Sequence, residues 1–276
     1  MKITHIKSKT TLSVFNISEL IQYKDLLYFM TLKEIKVLYK QTILGFVWAI
    51  IRPVFTMVVF TIIFGNMAKI PSDGIPYPIF TYIALVPWTY FSTSMTKSTQ
   101  SLIGNAPIIT KVYFPRIIIP LAPILAGLID FIIALSIVFG MMFWYNIIPS
   151  FNIIWLPLLI FIMIMTSAGI GIWLSALAIQ YRDIRYANQF LSQLLMYAAP
   201  VVWPLSLLKE KFSSEIAFWY GLYPMAGVIE GFRSAIIGVN PMPWELIFLG
   251  FIASFLMFIS GVIFFGYKEK TFSDVA

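Results

Sequence analysis

Six long runs of apolar residues follow one another along the chain, separated by short polar stretches. Each run is near or above the length of about 20 residues with which an α-helix crosses roughly 30 Å of hydrocarbon. The runs are Leu44–Gly65, Pro78–Thr96, Ile117–Tyr145, Ile153–Ile179, Ala187–Pro204 and Trp244–Gly266. They are continuously apolar instead of alternating, which favours helices over barrel strands because a helix satisfies its own backbone polar groups in lipid. The pattern predicts an all-α, polytopic membrane protein with six transmembrane helices.

Basic residues are concentrated on alternate polar stretches. With six spans both termini lie on one side, and that side carries 15 of the 19 Lys and Arg residues while the other side carries 4. The positive-inside rule then predicts that both termini are cytoplasmic. The net charge of +7 is explained by this topology, and no nucleic-acid partner is expected. A cleavable signal peptide is not expected either, because the first forty residues contain no apolar run.

Composition excludes a soluble globule and most site chemistry. Hydrophobic residues make up 60% of the chain and charged residues 11%, against about one quarter charged residues in soluble domains. Cysteine is absent, there is no G-x-x-x-x-G-K-[ST] phosphate loop and no H-E-x-x-H motif, and the only histidine is His5. We therefore expect a single domain over residues 1–276 with no catalytic residues, no metal site and no cofactor of its own. Any energy would come from another chain.

A helix is predicted before the first span, over Lys24–Gln41. At 100° per residue its apolar side chains share one face and its lysines the opposite one. The apolar face carries Leu27, Met30, Ile35 and Leu38, and the basic face carries Lys33, Lys36 and Lys40. Glu34 interrupts the apolar face. Two interpretations stay open: an interfacial helix on the cytoplasmic leaflet that helps to dock a partner, or a plain topogenic anchor.

The outside segment between spans five and six, Leu205–Pro243, is unusually apolar. Its stretch Ile216–Ile229 is too short to cross a membrane and is broken at Gly221 and Pro224, which predicts a re-entrant or interfacial helical pair. Its aromatic side chains either close an exit gate or form an aromatic belt at the outer interface. The gate candidates are Trp203, Phe218, Trp219, Tyr220 and Tyr223.

Two charges lie well inside predicted spans. Asp130 follows Arg116 by fourteen residues, or about 20 Å along a helix, and Arg52 lies eight residues into the first span. Ionisable groups at such depth face a bundle interior or a wet cavity. Each either pairs with another helix or lines the pathway of a polar substrate.

Four stretches carry motifs in the order of the predicted spans. They are LGFVW at Leu44–Trp48 followed by Pro53, LIGNA at Leu102–Ala106 with ITKVYFPR at Ile109–Arg116, QYRDIRY at Gln180–Tyr186, and PMAGVIEGFR at Pro224–Arg233. Together they resemble the membrane subunit of ABC-2 type polysaccharide exporters, the permeases for O-antigen, capsule and teichoic acid. The resemblance covers Lys24 to Tyr267. One departure is Tyr223, where the family usually has Asn before the Pro-Met pair.

The resemblance implies a multi-pass protein of the bacterial cytoplasmic (inner) membrane that exports a lipid-linked glycan. Two permease copies would form the pathway, and two copies of a separate ABC ATPase, which binds the ATP and Mg, would lie beneath them. Coupling to the ATPase would use cytoplasmic residues: Lys33, Lys36, Lys40, Arg182, Asp183 and Arg185. Arg182 and Asp183 contact the ATPase or merely cap the neighbouring helices.

Aromatic residues at helical spacing would guide the glycan over their faces. Candidates are Trp48, Arg52 and Phe55 in the first span and Phe190 and Tyr197 in the fifth. Lys111 and Arg116 would attract the lipid pyrophosphate. Packing or lipid contact explains the stripes equally well, and the positive-inside rule alone explains the two cations.

Other functions remain open. A teichoic acid, drug or small-lipid ABC-2 exporter would share the architecture. An ion-coupled secondary transporter would be expected to show more buried carboxylates than Asp130 alone. A non-transporting membrane scaffold would have no ATPase partner.

Overall fold

The computed structural model describes residues 17–40, 45–109, 111–211, 214–269 and 272. Within these ranges every regular element is helical, which confirms the all-α prediction. The α-helices are α1 (Ile17–Gln22), α2 (Lys24–Tyr39), α3 (Trp48–Phe60), α4 (Tyr77–Gly104), α5 (Ala106–Ile109), α6 (Ile118–Trp144), α7 (Leu156–Ala178), α8 (Ile184–Ala198), α9 (Leu205–Lys211), α10 (Ser214–Trp219), α11 (Pro224–Ile236) and α12 (Trp244–Lys268). A π-helix, Thr61–Met67, extends α3.

Four of the described helical segments are long and apolar enough to cross a membrane. They are Trp48–Met67, Ile118–Trp144, Phe151–Ala178 and Trp244–Lys268. Helix α4 has 28 residues but a polar second half, and α8 has 15 residues, or about 22 Å. The predicted count of six spans is therefore not confirmed and stays a prediction. Leu44, the first residue of the first predicted span, lies outside the described residues.

Helix α4 is the centre of the bundle and packs against α3, α6, α7, α8 and α11. Small residues let its neighbours approach closely. A Cβ atom at Gly127 of α6 would lie 2.7 Å from the Ser94 hydroxyl, and one at Gly171 of α7 would lie 2.6 Å from the Ser98 hydroxyl. Close contact between small residues is the usual way in which membrane helices gain van der Waals packing.

The α7–α12 contact depends on glycine more strictly. A Cβ at Gly261 would lie 2.5 Å from the carbonyl oxygen of Gly169, and a Cβ at Gly169 would lie 2.7 Å from the backbone nitrogen of Phe258. Because these neighbours are backbone atoms, they cannot rotate away as a side chain could. The two helices therefore require glycine at both positions.

Contacts between loops define two ends of the bundle. At one end, which we call the α2 end, Lys33 bonds Asn105 and Lys268 bonds Gln180, at 2.8 and 3.1 Å. At the other, the α11 end, the backbone NH of Ser150 donates to the carbonyl of Ile236. Successive connections alternate between the ends in the order that the predicted topology requires. The prediction that the α2 end is cytoplasmic remains a prediction.

The helix predicted over Lys24–Gln41 is present as α2, which ends at Tyr39. It packs along α6, with Met30 against the hydrophobic core and Lys36 exposed. Gln41 and the side chain of Leu38 lie outside the described part. Placement of this helix at a lipid surface stays a prediction.

Short helices fill the segment after α8, as predicted. Helix α10 ends at Trp219, a 3₁₀ turn follows over Tyr220–Leu222, and α11 begins at Pro224 with that proline at its first position, where no backbone donor is needed. Helix α11 continues to Ile236, past the end of the predicted stretch at Ile229, and is buried along its whole length. Helix α11 is thus packed into the bundle, against α4, α7 and α12.

Candidate functional site

A cavity of about 420 Å³ lies between α2, α3, α4 and α6. Polar side chains from all four helices line it: Tyr39, Arg52, Lys97 and Asp130. Ionisable groups far apart in sequence are thereby brought together. Both charges that the sequence places inside predicted spans, Arg52 and Asp130, are in this set.

The Tyr39 hydroxyl donates a hydrogen bond to the Asp130 carboxylate. Burial, followed by the hydrogen bond and the charge of Asp130, raises the pKa of the Tyr39 phenol. The hydroxyl therefore stays protonated and remains a donor. Asp130 pairs with another helix, which is the first alternative left open for it, and also lines the cavity; a place on a substrate pathway stays a prediction.

The Arg52 guanidinium and the Lys97 ammonium form no hydrogen bond or ion pair with any residue in the described part of the chain. The Arg52 guanidinium lies over the Trp48 ring, 5.7 Å from its centre. Lys97 is influenced electrostatically by Asp130 and Glu34.

The aromatic pathway candidates lie on two outward faces of the protomer. On α3, Phe55 is 68% exposed; on α8, Phe190 and Tyr197 are 61% and 60% exposed. Both helices pack against α4. Only Trp48 and Arg52 of the five candidates line the cavity, so the protomer does not bring the set together, and their role in a pathway stays a prediction.

Three of the gate candidates bind the end of α8. Most of the last carbonyls of a helix have no partner within the helix, although here that of Leu195 already accepts the backbone NH of Ala199. Here Tyr220 donates its hydroxyl to the carbonyl of Ala198, Tyr223 donates to that of Leu195 at 3.1 Å, and the Trp203 indole donates to that of Tyr197 at 3.4 Å. This capping role was not anticipated from the sequence.

Burial raises the pKa of both phenols, Tyr220 and Tyr223, so their hydroxyls remain donors. The other two gate candidates, Phe218 and Trp219, are exposed and pack edge to face, with ring centres 5.7 Å apart. The exposed pair is thus free of the capping role that Tyr220 and Tyr223 carry. Gating itself stays a prediction for all of them.

A buried ion pair inside α11 was missed by sequence reasoning. The Arg233 guanidinium lies 2.7 Å from the Glu230 carboxylate, and each side chain is about 95% buried. The signal was available as Glu and Arg three residues apart in an apolar stretch, since such a pair shares one helix face.

The pair is fully engaged by other segments. Arg233 donates to the carbonyls of Phe80 and Val201, at 3.3 and 2.9 Å, and stacks 3.6 Å from the Phe80 ring centre. Glu230 accepts the backbone NH of Leu205. The two charges therefore connect α11 to the start of α4 and to the segment between the end of α8 and the start of α9.

The predicted coupling residues lie at the α2 end. Lys36, Lys40, Arg182 and Asp183 are exposed, and Arg185 is partly buried at the start of α8. Lys33 reaches Asn105 at the end of α4, which links α2 to the central helix. An exposed charged surface suits a soluble partner, but contact with one is untested.

The two cations predicted to attract a pyrophosphate do not line the cavity. Lys111 is exposed in the turn before α6. Arg116 donates through its backbone NH and its guanidinium to Glu269, at 3.1 and 2.6 Å, and so fastens α6 to the end of α12. Their proposed role stays a prediction. In the described residues no cluster of His, Asp or Glu could hold a metal ion.

Known proteins resemble this chain over nearly its whole length. It is 29% identical over 252 residues to an O-antigen export system permease protein RfbA of Klebsiella pneumoniae, an alignment that covers 91% of this chain and 95% of the relative. The protein of the same name from Myxococcus xanthus is 26% identical over 257 residues, covering 92% and 96%. The polysialic acid transport protein KpsM of Escherichia coli is 24% identical over 211 residues, covering 75% and 79%.

The family model described as ABC-2 type transporter matches residues 25–237. The match begins in α2 and ends just after α11, so it includes the cavity and the buried ion pair described above. This chain belongs to the ABC-2 type transporter family.

Proposed function

We propose that this chain is the membrane subunit of an ATP-driven ABC exporter that moves a lipid-linked polysaccharide across the cytoplasmic membrane. One observation carries the proposal: relatives named for O-antigen export align with more than 90% of this chain and of their own length. The name of a further relative concerns polysialic acid transport, so the named cargoes share a carbohydrate character.

The exposed aromatic faces suit such a cargo. A long glycan has apolar CH faces and hydroxyls, and it moves over aromatic rings without one deep binding site. Phe55 and Phe190 point out of a protomer whose own core is already complete, which suits a pathway formed between two copies of the chain. We therefore place the glycan between the α3 and α8 faces of a homodimer.

The energy source in this proposal is a separate ATPase, since the sequence has no phosphate loop. Two copies of that ATPase would dock at the α2 end, against Lys36, Arg182 and Asp183. Helices α2 and α4 are linked there by the Lys33–Asn105 bond, so a push on α2 would reach the central helix.

The first test is to tag the chain in its native host, purify it in mild detergent and identify its partners by mass spectrometry. A stoichiometric ATPase with a phosphate loop is the expected result. Its reproducible absence from an intact complex would reject the ABC exporter and favour an ion-coupled transporter or a scaffold.

The second test addresses the cargo. Phe55→Ala combined with Phe190→Ala should reduce the polysaccharide that reaches the cell surface at least tenfold with normal protein levels. The matched control is Phe143→Ala, which removes an 88% exposed aromatic side chain from α6. Equal loss in both variants would show that the α3 and α8 faces have no special role. Normal surface polysaccharide after deletion of the chain would favour a drug or small-lipid exporter.

A further inference from the structure

Positive charge exceeds negative charge in the cavity between α2, α3, α4 and α6. Arg52 and Lys97 line it, and Asp130 is the one carboxylate among the described lining residues. The Asp130 carboxylate is already engaged by the Tyr39 hydroxyl. Charged groups inside a membrane bundle are costly unless they meet a partner of opposite charge. The donors of both cationic side chains remain available to a ligand, since neither side chain bonds another residue in the described ranges.

Hydroxyl groups on α4 add neutral donors beside these cations. Ser94 is 1% exposed and lines the cavity, and among the described residues its hydroxyl, which lies near the Tyr90 phenol, has no hydrogen-bond partner of ordinary geometry. Thr89 and Thr93 line the same wall. A buried hydroxyl without a partner costs free energy of folding, and such groups in native structures commonly mark a ligand. Cationic and hydroxyl donors converging on one space are the set that phosphate oxygens accept from.

The remaining wall is apolar. Val86, Phe131 and Ala134 contribute to it, and the volume of about 420 Å³ lies within the 300–1,000 Å³ typical of small-molecule sites. A ligand for this space would therefore carry an anionic group and an apolar portion. A neutral sugar would offer no charge to the two cations.

The cavity adjoins the exposed face of α3. Trp48 and Arg52 line the cavity, and both are exposed at the protein surface. Phe55, one turn further along the helix, belongs to the aromatic face to which we assigned the glycan. An amphiphile whose anionic group reached Arg52 and Lys97 would therefore lie next to that face.

We propose that this cavity binds the phosphate or diphosphate group of an anionic amphiphile. Lys97 and Arg52 bind its oxygens, Ser94 donates a further hydrogen bond, and Asp130, held by Tyr39, limits the net charge of the site. Its assignment to the head group of the lipid-linked glycan rests on the proposed function. The binding site itself does not.

The test is isothermal titration calorimetry on the purified full-length chain in phosphatidylcholine nanodiscs, whose lipid carries no net charge. Farnesyl diphosphate is the probe, with inorganic diphosphate and farnesol as the comparison ligands. Farnesyl diphosphate should bind, and farnesol should bind at least tenfold more weakly. Inorganic diphosphate binding as tightly as the probe would support the site and assign it to free diphosphate; weaker binding would assign it to a lipid head group.

Variants locate the site. Lys97→Gln and Arg52→Gln should each weaken binding of the probe at least tenfold. Asp130→Asn should tighten it severalfold, because the amide removes a negative charge and still accepts from Tyr39. The control Lys69→Gln removes an exposed cation near the α11 end and should change nothing. Thr93→Leu fills the space without changing charge and should also weaken binding.

Two results would overturn the inference. Lys111→Gln weakening binding as much as Lys97→Gln would place the anion at the turn before α6. Unchanged binding in folded Lys97→Gln and Arg52→Gln chains, checked by their thermal unfolding, would remove the cavity as the site. If the cells export glycan normally but the purified chain does not bind the probe, the cavity site is rejected and the proposed function stands. If the purified chain binds the probe but deleting its gene leaves the surface glycan intact, the proposed function is rejected and the cavity site stands.

Discussion

Both ends of the bundle contain charged side chains among its helices, but only at one end do other residues of the protein satisfy them. At the α11 end, Arg233 has an acceptor for each of its donating nitrogens, and Glu230 accepts in return. In the cavity near the α2 end, the Lys97 and Arg52 side chains bond no described acceptor, and the buried Ser94 hydroxyl that lines the same cavity makes no hydrogen bond of ordinary geometry with a described residue.

This difference between satisfied and unsatisfied charges distinguishes a structural role from a ligand-binding role. A satisfied buried pair stabilises only one arrangement of the chain, and removing one partner leaves an uncompensated charge. Cations that the protein leaves unsatisfied add little to folding and are retained for what they bind. We therefore assign the Glu230–Arg233 pair to holding α11 against its neighbours, and the Arg52–Lys97 pair to binding a ligand.

Breaking the satisfied pair should give the largest effect. Arg233→Ala leaves the Glu230 carboxylate buried and removes the donor from two carbonyls, so we expect a loss of about 3–5 kcal/mol in unfolding free energy. Thermal unfolding of the purified chain in detergent measures it. The double variant Glu230→Ala, Arg233→Ala should lose less than the two single losses added together, because neither charge is then left alone. Additive losses would show that the pair has no mutual interaction.

The sequence predicted the parts of this molecule that periodicity and charge asymmetry control. Apolar runs located the long helices, and Gly221 and Pro224 located the breaks before α11. The length of α11 was underestimated because Glu230 and Arg233 interrupt the apolar run at Ile229. Their mutual neutralisation lets the helix continue, buried, to Ile236.

Only some of the residues that line the cavity could be predicted from the sequence. Depth along a helix marked Arg52 and Asp130 as unusual, but nothing in the sequence states which other helices face them. Lys97 lies beyond the end of its predicted span, Pro78–Thr96, and was counted there as an ordinary cytoplasmic cation. Tyr39 was not assigned to either face of its helix. The tertiary packing of α2 along α6 brings these side chains together.

The link between Tyr39 and Asp130 should give an intermediate effect. Tyr39→Phe removes a hydrogen bond to a charged acceptor, worth about 1.5–3 kcal/mol, and detaches the end of α2 from α6. We expect a lower unfolding midpoint and faster proteolysis of α2 than of α6. Tyr28→Phe on the exposed side of the same helix is the control. If the Tyr39→Phe chain is as stable as that control, the Tyr39–Asp130 hydrogen bond does not stabilise the packing of α2 against α6.

A smaller loss is expected at the capped end of α8. Tyr223→Phe keeps the ring and removes the hydroxyl that binds the Leu195 carbonyl, which should cost about 1 kcal/mol in unfolding free energy. Phe218→Leu, at an exposed ring without a capping role, should cost less. Because Tyr223 lies at the α11 end and the cavity lies near the α2 end, Tyr223→Phe should not change the affinity for farnesyl diphosphate. A weakened affinity would show that a change at the α11 end alters binding in the cavity.

The smallest effect should come from Lys97, and it gives the sharpest contrast with Arg233. Lys97 is a cation on the central helix α4 and Arg233 is a cation that contacts Phe80 of that helix, but the Lys97 side chain has no described acceptor to lose. Lys97→Gln should therefore change the unfolding free energy by no more than about 0.5 kcal/mol, the range of substitutions that break no buried contact. The same change at the satisfied site, Arg233→Gln, should cost several times as much under the same detergent conditions. A loss of 2 kcal/mol or more at Lys97 would mean that the protein itself satisfies this ammonium, and the distinction between the two ends would fail. If Lys97→Gln instead leaves the stability unchanged and abolishes binding of the diphosphate probe, Lys97 contributes to ligand binding and not to folding.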